Sequence, residues 1–579
     1  MKRTSWAKLG TVLRALGWLA LLASAPSGTV AAPAEAPLEM PPMIVSEGTT
    51  RKPWRYAAAP GIEILGRCDD SDLRDLIRRN HALTHLMRVI LPDELQFHTS
   101  VPRMVVVVEA SSAPTLARDF LERFGEVAEG GGARRPGDGA AARAEGKAGT
   151  QEPVAVPRDV RVFPNLMLQD LDAFMMFAMV EPGAFNAADY RFTEEHLRVM
   201  LTNRTPALPV WFVEGWLRMY RASRFGDDEI VLAPLAWLSA SEVENLQADP
   251  DLPRRVMPLP AFFALRAEPT DAADAAAWRG QAELLVRWML ATPERRAAMG
   301  RFVSGAAAEG ESEALVRTCF GVDYATLRDE LSDSLLSQVV EFRRIPTERP
   351  PRLRGMVSHI ATPAEIGRLK GEWERLETNY VRLRHPAYAS KYLELARETI
   401  AKARESAPGD PGLLAVAGLL ACDQGLPEEA RPLLEAAAAR QLCRPRVYAE
   451  LAGLRLDEMG KGEAGEARRL SVAQAEIVVE TLALAQKQQP PLALTYGTLA
   501  AAWARSDMPL TVADLAVLAD GLRRFPRNLQ LLYFGAILEA RHQSIAQGLA
   551  LAERGLATAT TPAAQQRFRD LIAALKRSP

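Results

Sequence analysis

Between Pro411 and Ala437 the sequence lays out two short helices around a turn: Gly418 falls mid-helix, Asp423-Gln424-Gly425 supplies the turn, and Ala430, Leu434 and Ala437 share one face of the second helix. Ala452 stands 34 positions after Gly418, in the equivalent small-residue position. This repeat constrains the fold more than any other feature. A helical hairpin of that length cannot bury its apolar face alone and has to stack on copies of itself. Leu529 to Gly535 with Leu549 to Leu556 reads as a further pair, preceded by a helix from Leu515 to Phe525 that stops at Pro526. Residues 376–579 are therefore expected to form an α-solenoid.

The rest of the chain is too long for one core. At 579 residues, 48% hydrophobic and 25% charged, it calls for several domains with ordinary apolar interiors. Lys and Arg total 70 against 72 for Asp and Glu, a net charge of -2, so no global field draws it to nucleic acid or anionic lipid. Lys2, Arg3 and Lys8 precede an apolar run from Ala15 to Ala25 and then small residues, the pattern of a signal peptide over residues 1–31 cleaved near Ala31. That run is too short to span a bilayer, which needs roughly 20 residues. No later stretch qualifies, so the mature chain is expected to be periplasmic or secreted, without a membrane span.

Composition divides the remainder. Residues 32–53 read as an Ala/Pro-rich disordered leader, and 54–127 as a small α/β part with a helix from Ser71 to Leu86, a buried strand from Met104 to Val108 and a helix from Ala113 to Phe124. Residues 128–157, opening near Gly130-Gly131-Gly132, read as a Gly/Ala-rich disordered insertion. Residues 158–345 carry helical apolar stripes, notably Thr193 to Leu201, Trp211 to Tyr220, Gln281 to Leu290 and Tyr324 to Val340. Pro346, Pro350 and Pro351 then mark 346–375 as a linker with a short helix near Trp373. The fold class is mainly α, with a small α/β N-terminal part, a helical middle domain and the solenoid. Cys68, Cys319, Cys422 and Cys443 have no metal-like spacing; a Cys422–Cys443 bridge is permitted, but buried free thiols are expected.

Two resemblances follow. The hairpin at Pro411 to Ala437 looks like a tetratricopeptide unit. Tyr190-Arg-Phe-Thr-Glu-Glu-His-Leu-Arg-Val-Met-Leu, followed by Leu208-Pro-Val-Trp-Phe-Val-Glu-Gly-Trp-Leu-Arg-Met-Tyr220, resembles the core of the gluzincin metallopeptidases of the peptidase MA-like group. In that group one helix bears HExxH and the next bears Glu-Gly after a Leu-Pro-x-Trp entry. Trp278 to Leu290 resembles the following helix, and Phe320-Gly321-Val322-Asp323 the late Phe-Gly-x-Asp turn, so the resemblance covers about Val160 to Val340.

The family's chemistry needs two His one helical turn apart on zinc, a Glu as general base and a carboxylate from the next helix. Carried over residue by residue, the resemblance puts His196 at the second His and Glu214 at the third ligand. Phe192 stands at the first His and Thr193 at the base. A phenyl ring has no lone pair to donate, and a Thr hydroxyl is too weak a base for metal-bound water. Glu194 and Glu195 lie off the metal-facing side of the helix. His196 and Glu214 are thus vestigial candidates, with no catalytic residue, cofactor site or working metal expected. His81-Ala-Leu-Thr-His85 has the spacing of helical metal ligands but lacks the Glu, and reads as ordinary histidines. The aromatics Trp211, Phe212, Trp216 and Tyr220 read as core.

The expectation is an exported, noncatalytic pseudopeptidase whose repeat groove binds a protein or peptide. Its alternatives are an active zinc metallopeptidase with an unorthodox ligand set and a cell-envelope assembly factor.

Overall fold

The computed structural model describes residues 52–577 except 93–94, 96–97, 110–165, 181–193, 195, 206, 226–228, 250–255, 347–348, 350, 385 and 461–468. The signal peptide, the leader up to residue 51, the helix expected at Ala113 to Phe124 and the Gly/Ala-rich insertion lie outside these residues, as do Phe192 and Thr193.

The described chain begins with a hairpin. β1 (Arg55–Ala59) and β2 (Ile62–Arg67) pair antiparallel across Gly61, whose φ of +83° is a glycine conformation. A long helix, Asp70–Ile90, leads to β3 (Arg103–Glu109), which runs parallel to β2. β4 (Leu166–Gln169) and β5 (Phe174–Val180) form a second hairpin, with β5 parallel to β3. The edge beyond β1 is filled by β9 (Val357–Ile360), giving the order β4-β5-β3-β2-β1-β9.

β3 is buried on both sides, which is why Met104 to Val108 is uninterruptedly apolar. Val105 and Val107 pack with Leu73, Leu76 and Ile77 of the Asp70–Ile90 helix. Met104, Val106 and Val108 face the opposite way, onto Leu369, Trp373 and Leu376. Those three belong to a 22-residue helix, Pro363–Arg384, called here the bridging helix. The stretch read as a linker with a short helix therefore supplies a sheet strand and the start of this helix. The boundary expected between 375 and 376 falls inside one continuous element. Pro346 ends β8, and the strand β9 that follows is too short to show a period.

The middle module packs helices Val210–Arg221, Ala272–Met289, Pro293–Glu309, Glu313–Phe320 and Tyr324–Val340 around a core rich in aromatic rings. Trp211, Phe212, Trp216 and Tyr220 are buried in it, as their spacing predicts. A three-stranded sheet of β6 (Ser223–Phe225), β7 (Glu229–Leu232) and β8 (Arg343–Pro346) lies in the same module. Leu83, Met87 and Ile90 join this core, so one helix serves two cores along its length. The Phe320 to Asp323 turn is explained by helix ends. Gly321 closes one helix at φ +77°, and the Asp323 side chain accepts from Thr326 N to cap the next.

From the bridging helix onward the chain is helical and most helices pair with a neighbour in sequence, whereas Ala493–Ala504 packs chiefly on Leu529–His542. The bridging helix pairs with Ala389–Ser406, Pro411–Asp423 with Pro427–Ala438, Pro445–Met459 with Val472–Gln486, and Leu529–His542 with Ile545–Thr558. Pro562–Arg577 closes the stack against Ile545–Thr558. Gly418 is needed where it stands, because a Cβ there would lie 2.7 Å from Leu434 Cδ2 of the partner helix. None of the four cysteines forms a disulfide, but only Cys68 is buried and Cys443 is exposed, against the expectation of burial throughout.

Candidate functional site

His196 lies in a helical segment that runs to residue 202, and its ring is buried. Its Nε2 accepts a short hydrogen bond from the guanidinium of Arg103, the first residue of β3. Accepting at Nε2 leaves the proton on Nδ1, so the ring is neutral; burial, reinforced by the Arg103 charge, holds its pKa well below the ordinary value. Glu214, on the next helix, is engaged elsewhere: its Oε1 accepts from Arg198 at 3.0 Å. Each of the two vestigial candidates is thus occupied by an arginine of its own. A metal at His196 would have to displace Arg103, toward which the imidazole lone pair is directed. Among the described residues no group of three His, Cys, Asp or Glu is placed to hold a metal.

Gly215, beside Glu214, has a packing role. A Cβ there would lie 2.4 Å from the carbonyl oxygen of Ala282, so the Glu-Gly pair marks the close crossing of helices Val210–Arg221 and Ala272–Met289. Glu194 pairs with Arg221 at the periphery. His81 Nε2 donates to the carbonyl of Pro351 at 2.8 Å.

Composition and motifs give no hint of a dense cluster of buried charges among the described residues. It lies where the β4–β5 turn meets the solenoid. Asp170 shapes that turn, its Oδ1 accepting from the amides of Asp172 and Ala173 at 3.0 and 2.9 Å. Its other oxygen accepts from Arg375 of the bridging helix and, at 2.6 Å, from Arg446 at the start of Pro445–Met459. Asp172 is fully buried and accepts from Arg446 N at 2.8 Å and Arg444 Nε at 3.3 Å. Arg444 also grips Glu372 with two bonds of 2.6 and 3.2 Å, and Arg375 bonds the same carboxylate at 2.8 Å. Asp423, ending Pro411–Asp423, completes the cluster by accepting from Arg446 at 2.6 Å and Asn379 at 2.7 Å.

Three guanidiniums thus face four carboxylates, and the protonation states follow from that imbalance. Burial would raise Glu372, but Arg375 and Arg444 outweigh it and hold the group down to about 2. Burial would likewise raise Asp170, yet Arg375, Arg446 and Arg444 keep it well below the usual carboxylate range. Asp172 is the odd carboxylate. Burial pushes it up to about 6 despite the pull of Arg444, with the neighbouring Asp170 charge adding to the rise. A second junction sits one turn earlier on the bridging helix, where Arg368 binds Glu63 of β2 with bonds of 2.6 and 3.1 Å. The solenoid's early repeats are therefore already engaged by the chain's own sheet.

No protein-family model matches the sequence, and no curated protein matches it either. Solved structures similar to it are tetratricopeptide (TPR) proteins. YrrB, described as a TPR protein with an unusual peptide-binding site, shares 13% identity over 33% of this chain and 90% of its own, with a TM-score of 0.25. TTC0263 of Thermus thermophilus shares 18% over 34% and 99%, with a TM-score of 0.24. Yeast Tom70 shares 12% over 68% and 74%, with a TM-score of 0.25. At these values the likeness carries no inference about ligand or partner.

Proposed function

We propose that the chain is an exported, noncatalytic protein in which a degenerate gluzincin-like half is joined to a helical-repeat scaffold that binds a protein or peptide. The observation that carries this reading is the junction just described. Arg375, Arg444 and Arg446 hold a loop of polypeptide, the β4–β5 turn, by its carboxylates, which is the act a peptide-binding scaffold has to perform. With the early repeats engaged internally, the partner is expected at the far end. There Leu529, Tyr533, Phe534 and Phe568 border a cleft beside Arg567, whose guanidinium lies over the Tyr533 ring.

Metallopeptidase activity is disfavoured by two contacts. Zinc would have to displace Arg103 from His196 and Arg198 from Glu214, and Phe192 and Thr193 would supply neither ligand nor base. A photo-reactive residue at exposed Gln530 in the full chain tests the scaffold reading: saturable crosslinks to one partner, lost on Arg567→Glu, are expected. Stoichiometric zinc removed by His196→Ala, with chelator-sensitive peptide hydrolysis, would establish the active peptidase instead. An envelope-assembly role is a narrower form of the same reading, decided by the identity of the crosslinked partner.

A further inference from the structure

Arg103 is only 9% exposed, and among the described residues no carboxylate is placed against it. Among the described residues its guanidinium bonds two neutral acceptors, the carbonyl of Gly61 at 3.4 Å and Nε2 of His196. A guanidinium carries five N–H donors, so most of its hydrogen-bonding capacity is unused. A buried charge in this state is costly, and proteins ordinarily neutralise one with a partner of opposite sign. Burial accordingly lowers its pKa to about 9.

The guanidinium borders a narrow cleft beside His196, lined otherwise by Met167, Phe174, Met176 and Val199. Among the described residues its wall is thus apolar around a single positive charge. The neutral His196 adds no second cation, and Arg198 on the same helical segment is engaged by Glu214. That charge inventory suits a monoanion better than a phosphate dianion. A carboxylate fits the fork of a guanidinium in two parallel bonds, and an apolar body attached to it would lie against the Met and Phe side chains.

We propose that the Arg103–His196 cleft is a binding site for a carboxylate carried on an apolar body. Such a group could arrive on a short-chain fatty acid or on the C-terminal residue of a peptide, and the two share this chemistry. The imidazole orients the guanidinium by accepting from it, which leaves the remaining N–H groups to meet the ligand.

The test uses the full mature chain and calorimetric titration with hexanoate, its neutral isostere hexanamide, and an acetylated tripeptide ending in Leu as free acid or amide. Binding of hexanoate but not hexanamide is expected, weakened at least about tenfold in Arg103→Met, the loss of one charge-assisted contact. Arg103→Lys should retain measurable binding. Without ligand, Arg103→Met should melt no lower than the wild type, because an uncompensated buried cation has been removed. Val199→Glu, which builds a carboxylate into the cleft, should abolish hexanoate binding. If only hexanoate binds, the ligand is a small acid; if the peptide acid also binds and its amide does not, the site takes chain termini. Wild-type protein that binds neither acid, or binds acid and amide alike, overturns the proposal whether or not the Arg103 variants fold.

Discussion

At the scale of single residues the sheet–solenoid cluster shows how opposite shifts arise side by side. Glu372 has a depressed pKa of about 2 in the fold. Its contribution to stability is fully present above the unfolded value and is lost as pH falls through the acid range toward 2. Asp172 has the opposite sign. Raised to about 6, it takes up a proton in the native state before the unfolded chain does, so stability gained from it grows as pH falls from about 6 toward 4. Urea unfolding across pH should separate the two. Glu372→Gln is expected to flatten the limb below about pH 4.5 and to cost about 3 kcal/mol at neutral pH, because it leaves two buried guanidiniums short of charge. Asp172→Asn is expected to flatten only the limb between about pH 4 and 6. Parallel curves for either variant would show that the group does not carry the dependence assigned to it. These residues were invisible to sequence reading for a physical reason. They are scattered from 170 to 446, and near-equal totals of acid and base conceal local pairing. Arg103 left a fainter trace, a charge standing at the head of the run Met104 to Val108 that is otherwise all valine and methionine.

At the scale of elements, what could be read was what periodicity and side-chain size encode. The hairpin around Gly418 was legible because close helix contact demands a small residue, and the helices at Val210 and Tyr324 because their apolar stripes run for several turns. β9 was not, since four residues that are mostly exposed have no period to detect, and their pairing partner lies some three hundred positions earlier. The Glu-Gly pair was legible as a resemblance, but its glycine serves a helix crossing. Gly215→Ala is therefore expected to destabilise the protein by about 1–3 kcal/mol, the usual cost of overpacking, without any change in metal content. Glu214→Gln should cost less, as it breaks a partly exposed pair with Arg198. Chemical denaturation of both variants checks the order, and a larger loss for Glu214→Gln would point to a role for the carboxylate beyond that pair.

At the scale of the whole molecule, residues from Arg51 to Pro579 form one compact unit, although length and composition suggested separable parts. The bridging helix is the reason, being at once the cover of the sheet and the first helix of the solenoid. A fragment beginning at residue 376 would cut that helix and strip Arg444 of Glu372. Calorimetry of the chain should accordingly show one transition for sheet and solenoid together, and Asp170→Asn combined with Asp172→Asn should broaden or split it. Two well-separated transitions in the wild type would mean that the seam does not couple the halves. The place of β9 has a further consequence for biosynthesis. β1 cannot gain its outer neighbour until residue 360 has left the ribosome, a wait of roughly 15 to 60 s at about 5–20 residues per second. During that interval the edge of β1 is open to pairing with other chains, so chaperone demand should be concentrated early in translation, before β9 pairs with β1.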